Sequence, residues 1–278
     1  MLALLPACLL LSVEAPMGDW RIRYTDQGQG DSTYVLVHGW NGSAAQWRPV
    51  VERLSVDARV IAIDLPGHGG TAAPKVDYTM ELLARSVDAV LAHAGVEGAI
   101  LVGHSLSVAL VREVEHRYPR RVAGLVLIDG TFWDGTTEAG IRRATEANRA
   151  YARSLADPAS YRAVATNTIG TMFTSRTPMA LRQEILRTML LTPSHVAGST
   201  MLELARSRVW TYGASRVPVL AVMVDTGENR GYAAFIRRMF PLLRRIEYWP
   251  GAGHFLHLEQ IDRFARLLRE SSWGAPTR

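Results

Sequence analysis

The stretch Ala99-Ile-Leu-Val-Gly-His-Ser-Leu-Ser107 decides the fold of this chain, because it joins an apolar run directly to a helical pattern. Its first four residues are apolar on both faces, which is typical of a central strand in a parallel sheet. Residues 106–118 then repeat apolar side chains at helical spacing. Ser105 therefore lies in the turn between a buried strand and a helix.

Two small residues flank Ser105 at a distance of two positions, Gly103 and Ser107. A serine in such a tight turn takes a strained backbone conformation, and small neighbours avoid clashes with the adjacent strands. This setting predicts a nucleophile elbow. The alternative is a serine that only caps the helix at Leu106. Ser107 stands where a second glycine is usual, and we interpret it as a tolerated variant.

Further apolar runs predict the rest of a parallel sheet, and helical patterns separate them. The runs are 34–37, 59–63, 124–128, 218–224 and 244–249, and residues 20–25 alternate like a half-buried strand. Helices are predicted over 44–54, 80–94, 106–118 and 256–268. The fold class is α/β, a doubly wound and mostly parallel sheet with helices on both faces.

Residues 131–216 break this rhythm, since they hold helical segments and prolines but no convincing strand. They predict a helical cap inserted into a core of residues 17–130 and 217–278. A cap lies over the edge of the sheet where ligands bind, so its large apolar side chains are candidates for a substrate pocket. The alternative for each is ordinary packing within the cap. The candidates are Phe132, Trp133, Met172, Phe173, Met189 and Trp210.

The N-terminal segment 1–16 is apolar but too short to span a bilayer as a helix. It is either a flawed signal sequence cut after Ala15 or the result of a start assigned upstream of Met17. We expect a cytoplasmic protein without stable membrane insertion, with secretion or a periplasmic location as the alternative. Cys8 is the only cysteine, which excludes an internal disulfide and a cysteine-based metal cluster.

Charge does not indicate a nucleic-acid partner, although the chain of 278 residues carries a net charge of +5. Lys75 is the only lysine, and the arginines are scattered over helical stretches without interleaved aromatic residues. No ligand cluster, Gly-x-Gly-x-x-Gly turn or phosphate-binding loop is present, so no metal or organic cofactor is expected.

A second loop, His38-Gly-Trp40, ends the strand predicted at 34–37. The backbone N–H of Trp40, paired with that of Leu106, can complete an oxyanion hole beside Ser105. Losing one such donor raises the barrier by about 3 kcal/mol in comparable enzymes. His38 itself is expected to anchor the glycine turn.

The loop Gly251-Ala-Gly-His254 follows the last strand, and its glycines let His254 swing toward Ser105. Imidazole titrates near neutrality, so it can accept the serine proton and later return it to the leaving group. His257 is the nearest competitor, but its place inside the following helix favours His254 as the base.

Four segments in this order resemble the α/β-hydrolase superfamily: Val35-Leu-Val-His-Gly-Trp40, Asp64-Leu-Pro-Gly-His-Gly69, Gly103-His-Ser-Leu-Ser107 and Gly251-Ala-Gly-His254. The resemblance covers about residues 20–270 except the cap. It implies that Asp64 and His68 belong to a structural turn without a catalytic role.

The acid that orients the histidine departs from the family's commonest pattern, in which it follows the strand after the cap. The family's spacing from Pro218 falls on Gly227, with Asp225 before it and Glu228 after it. A minority of the superfamily carries the acid before the cap, and Asp129 ends the strand there. We favour Asp129, with Asp225 as the alternative.

A serine at the elbow implies hydrolysis through an acyl-enzyme, because dehalogenase and epoxide-hydrolase relatives use an aspartate there. The expected substrate is a small, fairly apolar carboxylic ester or lactone, cleaved by an esterase or lactonase. The alternatives are a carbon–carbon bond hydrolase and a non-catalytic ligand-binding protein on the same scaffold, with perhydrolysis as a side activity. The identity of the substrate and the oligomeric state stay open.

Overall fold

The structure is a computed structural model that describes residues 12–130, 137–271 and 273. It contains eight strands, with the bounds β1 Ser12–Met17, β2 Trp20–Gln27, β3 Thr33–Val37, β4 Arg59–Ile63, β5 Ala99–His104, β6 Val122–Ile128, β7 Val219–Val224 and β8 Leu243–Trp249. They form one sheet in the order β1-β2-β4-β3-β5-β6-β7-β8. Strands β3 to β8 pair in parallel, whereas β1 and β2 are antiparallel. The predicted fold class is confirmed.

Helices connect the parallel strands, as such crossovers require. Their bounds are α1 Arg48–Leu54, α2 Met80–His93, α3 Ser107–Arg117, α4 Glu138–Ala156, α5 Pro158–Thr171, α6 Met179–Met189, α7 Ser194–Arg206, α8 Gly227–Gly231, α9 Ala233–Met239, α10 Leu256–Glu259 and α11 Ile261–Glu270. Short 3-10 helices span Ala44–Trp47, Pro119–Arg121 and Val209–Thr211. The closing helix predicted over 256–268 is thus two helices, which meet at Gln260.

The core lies on both sides of the central strands. Every residue of β5 is buried, and in β3 only Thr33 is partly exposed. Helix α1 packs against α11, and α2 packs against α3. The Tyr34 hydroxyl donates to the Leu268 carbonyl at 3.0 Å and fixes α11 to β3. Continuous apolar strands therefore have the environment that their sequence predicted.

The sheet begins earlier than the proposed core. Strand β1 pairs with β2 from Ser12 opposite Thr25 to Met17 opposite Trp20, and Ala15 is fully buried. Residues 12–16, which the sequence assigned to the apolar extension 1–16, are therefore an edge strand of the core. A single turn at Gly18 and Asp19 separates this strand from β2. The sequence did not predict it.

Helices α4 to α7 and the 3-10 helix at Val209–Thr211 lie between β6 and β7 in the chain. No strand occurs among residues 137–216. Helices α4 and α7 approach closely at Gly198, where an added Cβ would lie 2.6 Å from the Ala152 carbonyl oxygen. Within the ranges that the structure describes, no helix combines the length and the apolar character needed to cross a membrane.

Candidate active site

Ser105 occupies a strained turn between β5 and α3. Its φ angle is +56°, a left-handed conformation that is uncommon outside glycine. Its N–H donates to the Ile128 carbonyl at 2.8 Å, and its own carbonyl accepts from the Val108 N–H at 3.0 Å. Gly103 is required beside it, because an added Cβ would lie 2.4 Å from the Ser107 carbonyl oxygen. The turn therefore presents Ser105 at the carboxyl end of the sheet.

Ser107 has a role that the sequence did not reveal. Its buried hydroxyl donates a hydrogen bond to the His38 carbonyl. A glycine at this position has no side chain to make that bond. The substitution for the usual glycine therefore ties the start of α3 to the loop that follows β3.

The loop after β3 approaches Ser105 closely. A Cβ built on Gly39 would lie 2.9 Å from the Ser105 Cβ, so this position needs glycine. Among the described residues, neither the Trp40 N–H nor the Leu106 N–H donates a hydrogen bond. Two backbone donors next to the serine turn thus have no partner among the described residues, which is what an oxyanion hole would need. His38 anchors the loop: its Nδ1 lies 2.8 Å from the Gly39 carbonyl, and its Nε2 accepts from the Leu65 N–H at 3.2 Å.

The segment between β6 and β7 forms hydrogen bonds to this loop. The Trp40 indole N–H donates to the Ala197 carbonyl at 3.0 Å, and the Asn41 amide donates to the Tyr161 hydroxyl at 2.9 Å. The Thr192 hydroxyl donates to the Asn41 carbonyl at 3.2 Å. Asn41 has a φ of +57°, so these bonds restrain a strained backbone next to Trp40.

His254 lies on the loop between β8 and α10. The loop turns at Gly251, whose φ is +72°. The His254 N–H donates to the Met172 carbonyl at 2.9 Å, and the Gly253 N–H donates to the Glu259 carboxylate at 2.8 Å. Glu259 also accepts from the Thr177 hydroxyl at 2.6 Å. The histidine loop is therefore fixed both to the core and to the segment between α5 and α6.

The carboxylate that contacts His254 is Asp129. The distance from His254 Nδ1 to Asp129 Oδ2 is 2.7 Å, and the Asp129 side chain is only 11% exposed. The other oxygen, Oδ1, accepts from the Val224 N–H and the Asn229 side-chain amide, both at 3.0 Å. Asp129 has a φ of +43°, the third residue other than glycine with a positive φ among those described.

Asp225 points to a different partner. Its carboxylate forms an ion pair with Arg230, with a shortest distance of 2.6 Å. The hydrogen bond from Arg230 lowers the pKa of the Asp225 carboxyl. Glu228 accepts from the Tyr232 hydroxyl at 2.9 Å. The structure therefore brings Asp129, and neither of its two alternatives, into hydrogen-bond contact with His254.

Two buried histidines pack beside His254. The ring of His104 lies 4.6 Å from that of His254 and 4.5 Å from that of His257, and its Nε2 is 2.9 Å from the His254 carbonyl oxygen. Burial lowers the pKa of His104 well below its usual range and that of His257 to about 3. Both rings are thus neutral supports for the loop. His257 was predicted to lie on a helix face, and in the structure it is buried against Trp47.

A narrow cavity of about 10 Å³ contains both Ser105 and His254. Met172 and Met189 line it, as the sequence expected, together with Gln46 and Phe255, which it did not single out. The described residues offer the Ser105 hydroxyl no hydrogen bond, a common arrangement before a substrate tightens the site.

A second cavity of about 310 Å³ shares His254 and Met172 with the first and is also lined by Asp129, Asn229 and Phe173. Trp210 is not brought to either cavity: it is buried and packs edge-on against Phe235 at 5.7 Å. It is therefore removed from the expected pocket residues. Phe132 and Trp133 lie outside the described residues. Within those residues, no group of three or more His, Cys, Asp or Glu side chains is arranged to hold a metal ion.

Asp64 holds a structural turn, the role that the family resemblance implied. Its carboxylate accepts from the Ala44 N–H at 2.7 Å and the Gly70 N–H at 2.9 Å. Gly69, with a φ of +53°, leaves room for that carboxylate. His68 is buried behind this turn, and its ring lies 4.9 Å from that of His38.

Known proteins share this architecture. Over 116 residues the chain is 37% identical to the dihydrolipoyllysine-residue acetyltransferase component of the acetoin cleaving system of Pseudomonas putida, a match covering 41% of this chain and 31% of that protein. The chain thus spans about a third of the length of that relative.

Solved structures match over nearly the whole chain. A thermophilic esterase from Thermogutta terrifontis has a TM-score of 0.80 at 22% identity, covering 94% of this chain and 96% of the other. The esterase RhEst1 from Rhodococcus sp. ECU1013 has a TM-score of 0.74 at 26% identity, covering 95% and 99%. A family model described as alpha/beta hydrolase matches residues 34–267. On this match and the fold, the chain belongs to the alpha/beta hydrolase family.

Proposed function

We propose that this protein is a serine hydrolase that cleaves a carboxylic ester or a lactone through an acyl-enzyme intermediate. The observation that carries the proposal is Ser105 at a φ of +56°, in the same cavity as a histidine that is hydrogen-bonded to a largely buried carboxylate. Nucleophile, base and orienting acid in this order are what acyl transfer needs.

The first half of the reaction forms the acyl-enzyme. Ser105 Oγ attacks the substrate carbonyl carbon while His254 takes the hydroxyl proton. The Trp40 and Leu106 N–H groups stabilise the negative oxygen of the tetrahedral intermediate. Collapse breaks the ester C–O bond, and His254 gives its proton to the departing alkoxide. In a lactone, the alcohol stays attached to the acyl group.

Water completes the cycle. It attacks the acyl carbon while His254 accepts a proton, and the second tetrahedral intermediate releases the carboxylic acid as Ser105 Oγ regains its proton. Asp129 favours the imidazolium in both halves and holds Nδ1 as the protonated nitrogen, which leaves Nε2 free as the base. Its short contact with His254, at 2.7 Å, supports that role.

The bond type is supported by the lining of the site and by one relative. Met172, Met189 and Phe255 make an apolar wall beside Ser105, which suits an uncharged substrate. RhEst1, at 26% identity over nearly the whole chain, is described as an esterase.

A fluorophosphonate probe and a substrate panel test the proposal together. The wild type should be labelled covalently and should hydrolyse at least one member of a panel of p-nitrophenyl esters of graded chain length and several lactones. Ser105→Ala should remain folded by circular dichroism and lose the label. It should keep less than about 1% of the activity, because removing the nucleophile alone costs about as much as removing the whole triad.

The other functions give different results in the same experiment. A binding protein on this scaffold would show no labelling and no turnover. A carbon–carbon bond hydrolase would be labelled but would act on a diketone-type acid in preference to every ester and lactone. Retention of more than a few per cent of esterase activity in Ser105→Ala would refute the assignment of the nucleophile.

A further inference from the structure

Asn229 contacts the Asp129 carboxylate from α8, the short helix that follows β7. Its side-chain Nδ2 lies 3.0 Å from Asp129 Oδ1 and 2.9 Å from the Val224 carbonyl oxygen. Both partners accept hydrogen bonds and neither donates, so the NH₂ group of Asn229 faces them. Both hydrogens of the NH₂ group therefore form hydrogen bonds, and one of these is to the carboxylate that contacts His254.

The two oxygens of Asp129 have separate tasks. Oδ1 takes two donors, the Val224 N–H and the Asn229 amide, while Oδ2 takes His254 Nδ1. A carboxylate can rotate about its terminal torsion, because that torsion has a broad profile. Two donors on one oxygen remove this freedom and leave the other oxygen directed at the histidine.

We infer that Asn229 is a positioning residue, which orients the Asp129 carboxylate so that Oδ2 holds His254 in its catalytic tautomer. The inference rests on the proposed hydrolase function. Asn229 lies in the segment after β7 that in most of the family carries the acid itself, and here that segment supplies a neutral donor to an acid at the end of the neighbouring strand β6. A neutral amide orients the carboxylate without adding a charge beside the imidazole.

The local structure keeps Asn229 in place. Its backbone N–H donates to the Thr226 hydroxyl at 3.1 Å, which caps α8, and its carbonyl accepts from the Tyr248 hydroxyl at 3.5 Å. The titratable and charged groups around it are Asp129, His254, Glu228, Tyr232, Tyr248 and the Asp225–Arg230 ion pair.

The first test removes the amide. In Asn229→Ala, kcat should fall about tenfold with KM changed less than about twofold, because one hydrogen bond to a charged group is lost while substrate contacts remain. Asn148→Ala is the matched control: among the described residues its side chain bonds only to the Ala144 carbonyl of its own helix, at 2.8 Å, and it lines neither cavity. That control should keep wild-type kcat.

The second test keeps the size of the side chain and changes its charge. In Asn229→Asp, two carboxyl groups lie about 3 Å apart and cannot both ionise easily. At low pH the added carboxyl keeps its proton and can donate to Asp129 as the amide did. At high pH both groups are charged, and the second negative charge also favours protonated His254. The pH profile of kcat/KM should therefore have its acid limb at higher pH and gain an alkaline limb that the wild type lacks.

The outcomes separate this inference from the proposed function. Absence of labelling and turnover in the wild type would refute the hydrolase itself. A labelled, active wild type whose Asn229→Ala and Asn229→Asp variants keep its kcat and pH profile would refute only the role of Asn229. Equal losses of kcat in Asn229→Asp at all pH values, with Asn148→Asp unchanged, would indicate a structural role and would also overturn the inference.

Discussion

Asp129 and Asp225 make a natural comparison, because each directly follows the last residue of a strand and the two strands, β6 and β7, pair in parallel in the same sheet. Asp129 is 11% exposed and contacts His254, whereas Asp225 is 23% exposed and pairs with Arg230. The two residues are therefore of the same type and lie at the same edge of the sheet, but their side chains bind different partners.

The register of the sheet explains the difference. Ile128 at the end of β6 lies opposite Val222, so β7 continues for two more residues before it reaches Asp225. The Asp129 N–H donates to the Val222 carbonyl, whereas the Asp225 N–H donates to the Trp249 carbonyl of β8. Asp129 is thus held beneath the end of β7, and Asp225 extends past it toward solvent. A carboxylate at the sheet edge orients the histidine only where the neighbouring strand encloses it.

The largest expected effect comes from Asp129→Asn. We predict a loss of at least a hundredfold in kcat with the fold retained by circular dichroism, because an amide in place of the triad acid lowers turnover by about ten-thousand-fold in a well-studied serine protease. The amide can present an N–H to His254 Nδ1 and so stabilise the wrong tautomer. Steady-state kinetics on the best substrate of the ester panel measure the loss. A loss below tenfold would contradict the assignment of Asp129 as the acid that orients His254.

Sequence reasoning succeeded where a local motif or a family pattern marks a residue, and it missed distant contacts that no pattern marks. The elbow at Ser105 depends on residues within two positions, so its strained turn followed from the sequence. Asp129 and Asn229 are 100 residues apart, and nothing in either local pattern points to the other. Trp210 shows the same limit, since a helical pattern identifies an apolar residue but not which neighbour it packs against.

Strand β1 and the acid illustrate two further physical reasons. A short edge strand such as Ser12–Met17 is defined by its pairing with β2, which local propensity does not encode. The choice between Asp129 and Asp225 depends on a two-residue offset between the ends of β6 and β7 in the sheet, which is within the uncertainty of any strand end read from sequence.

The contrast between enclosed and exposed groups also governs stability against acid. Burial lowers the pKa of His38 to about 4 and those of His68 and His257 to about 3, below the value of 6.5 that applies to an unfolded chain. Below about pH 6.5 the unfolded state binds protons that the folded state does not, so the free energy of unfolding should fall as the pH drops toward about 4. At pH 7 both states are neutral and the contribution vanishes.

His257→Phe tests this at one position. The variant keeps an aromatic ring against Trp47 and removes one titrating group, so the loss of unfolding free energy between pH 7 and pH 5 should shrink by about 1 to 2 kcal/mol. Urea unfolding at the two pH values measures it. His116→Phe is the control, because His116 is exposed and its ring stacks on that of Tyr212 at 3.8 Å. The change in unfolding free energy of this variant between pH 7 and pH 5 should equal that of the wild type. If the unfolding free energy changes equally between pH 7 and pH 5 in the wild type and in both variants, His257 is not buried as a neutral ring.

Asp225→Asn should give the smallest effect, and it is the direct partner of the Asp129→Asn experiment. The exchange removes one charge of an exposed ion pair, and such pairs contribute little to stability. It leaves the Asp225 N–H bonded to the Trp249 carbonyl at 3.2 Å, so the end of β7 keeps its path. We therefore predict a loss of less than tenfold in kcat. The reverse ranking of the two aspartates would restore the commonest family pattern for the acid. Mild effects of both would point to Glu228, or to Ser105 and His254 working without an acid, and a triple comparison with Glu228→Gln distinguishes those two cases.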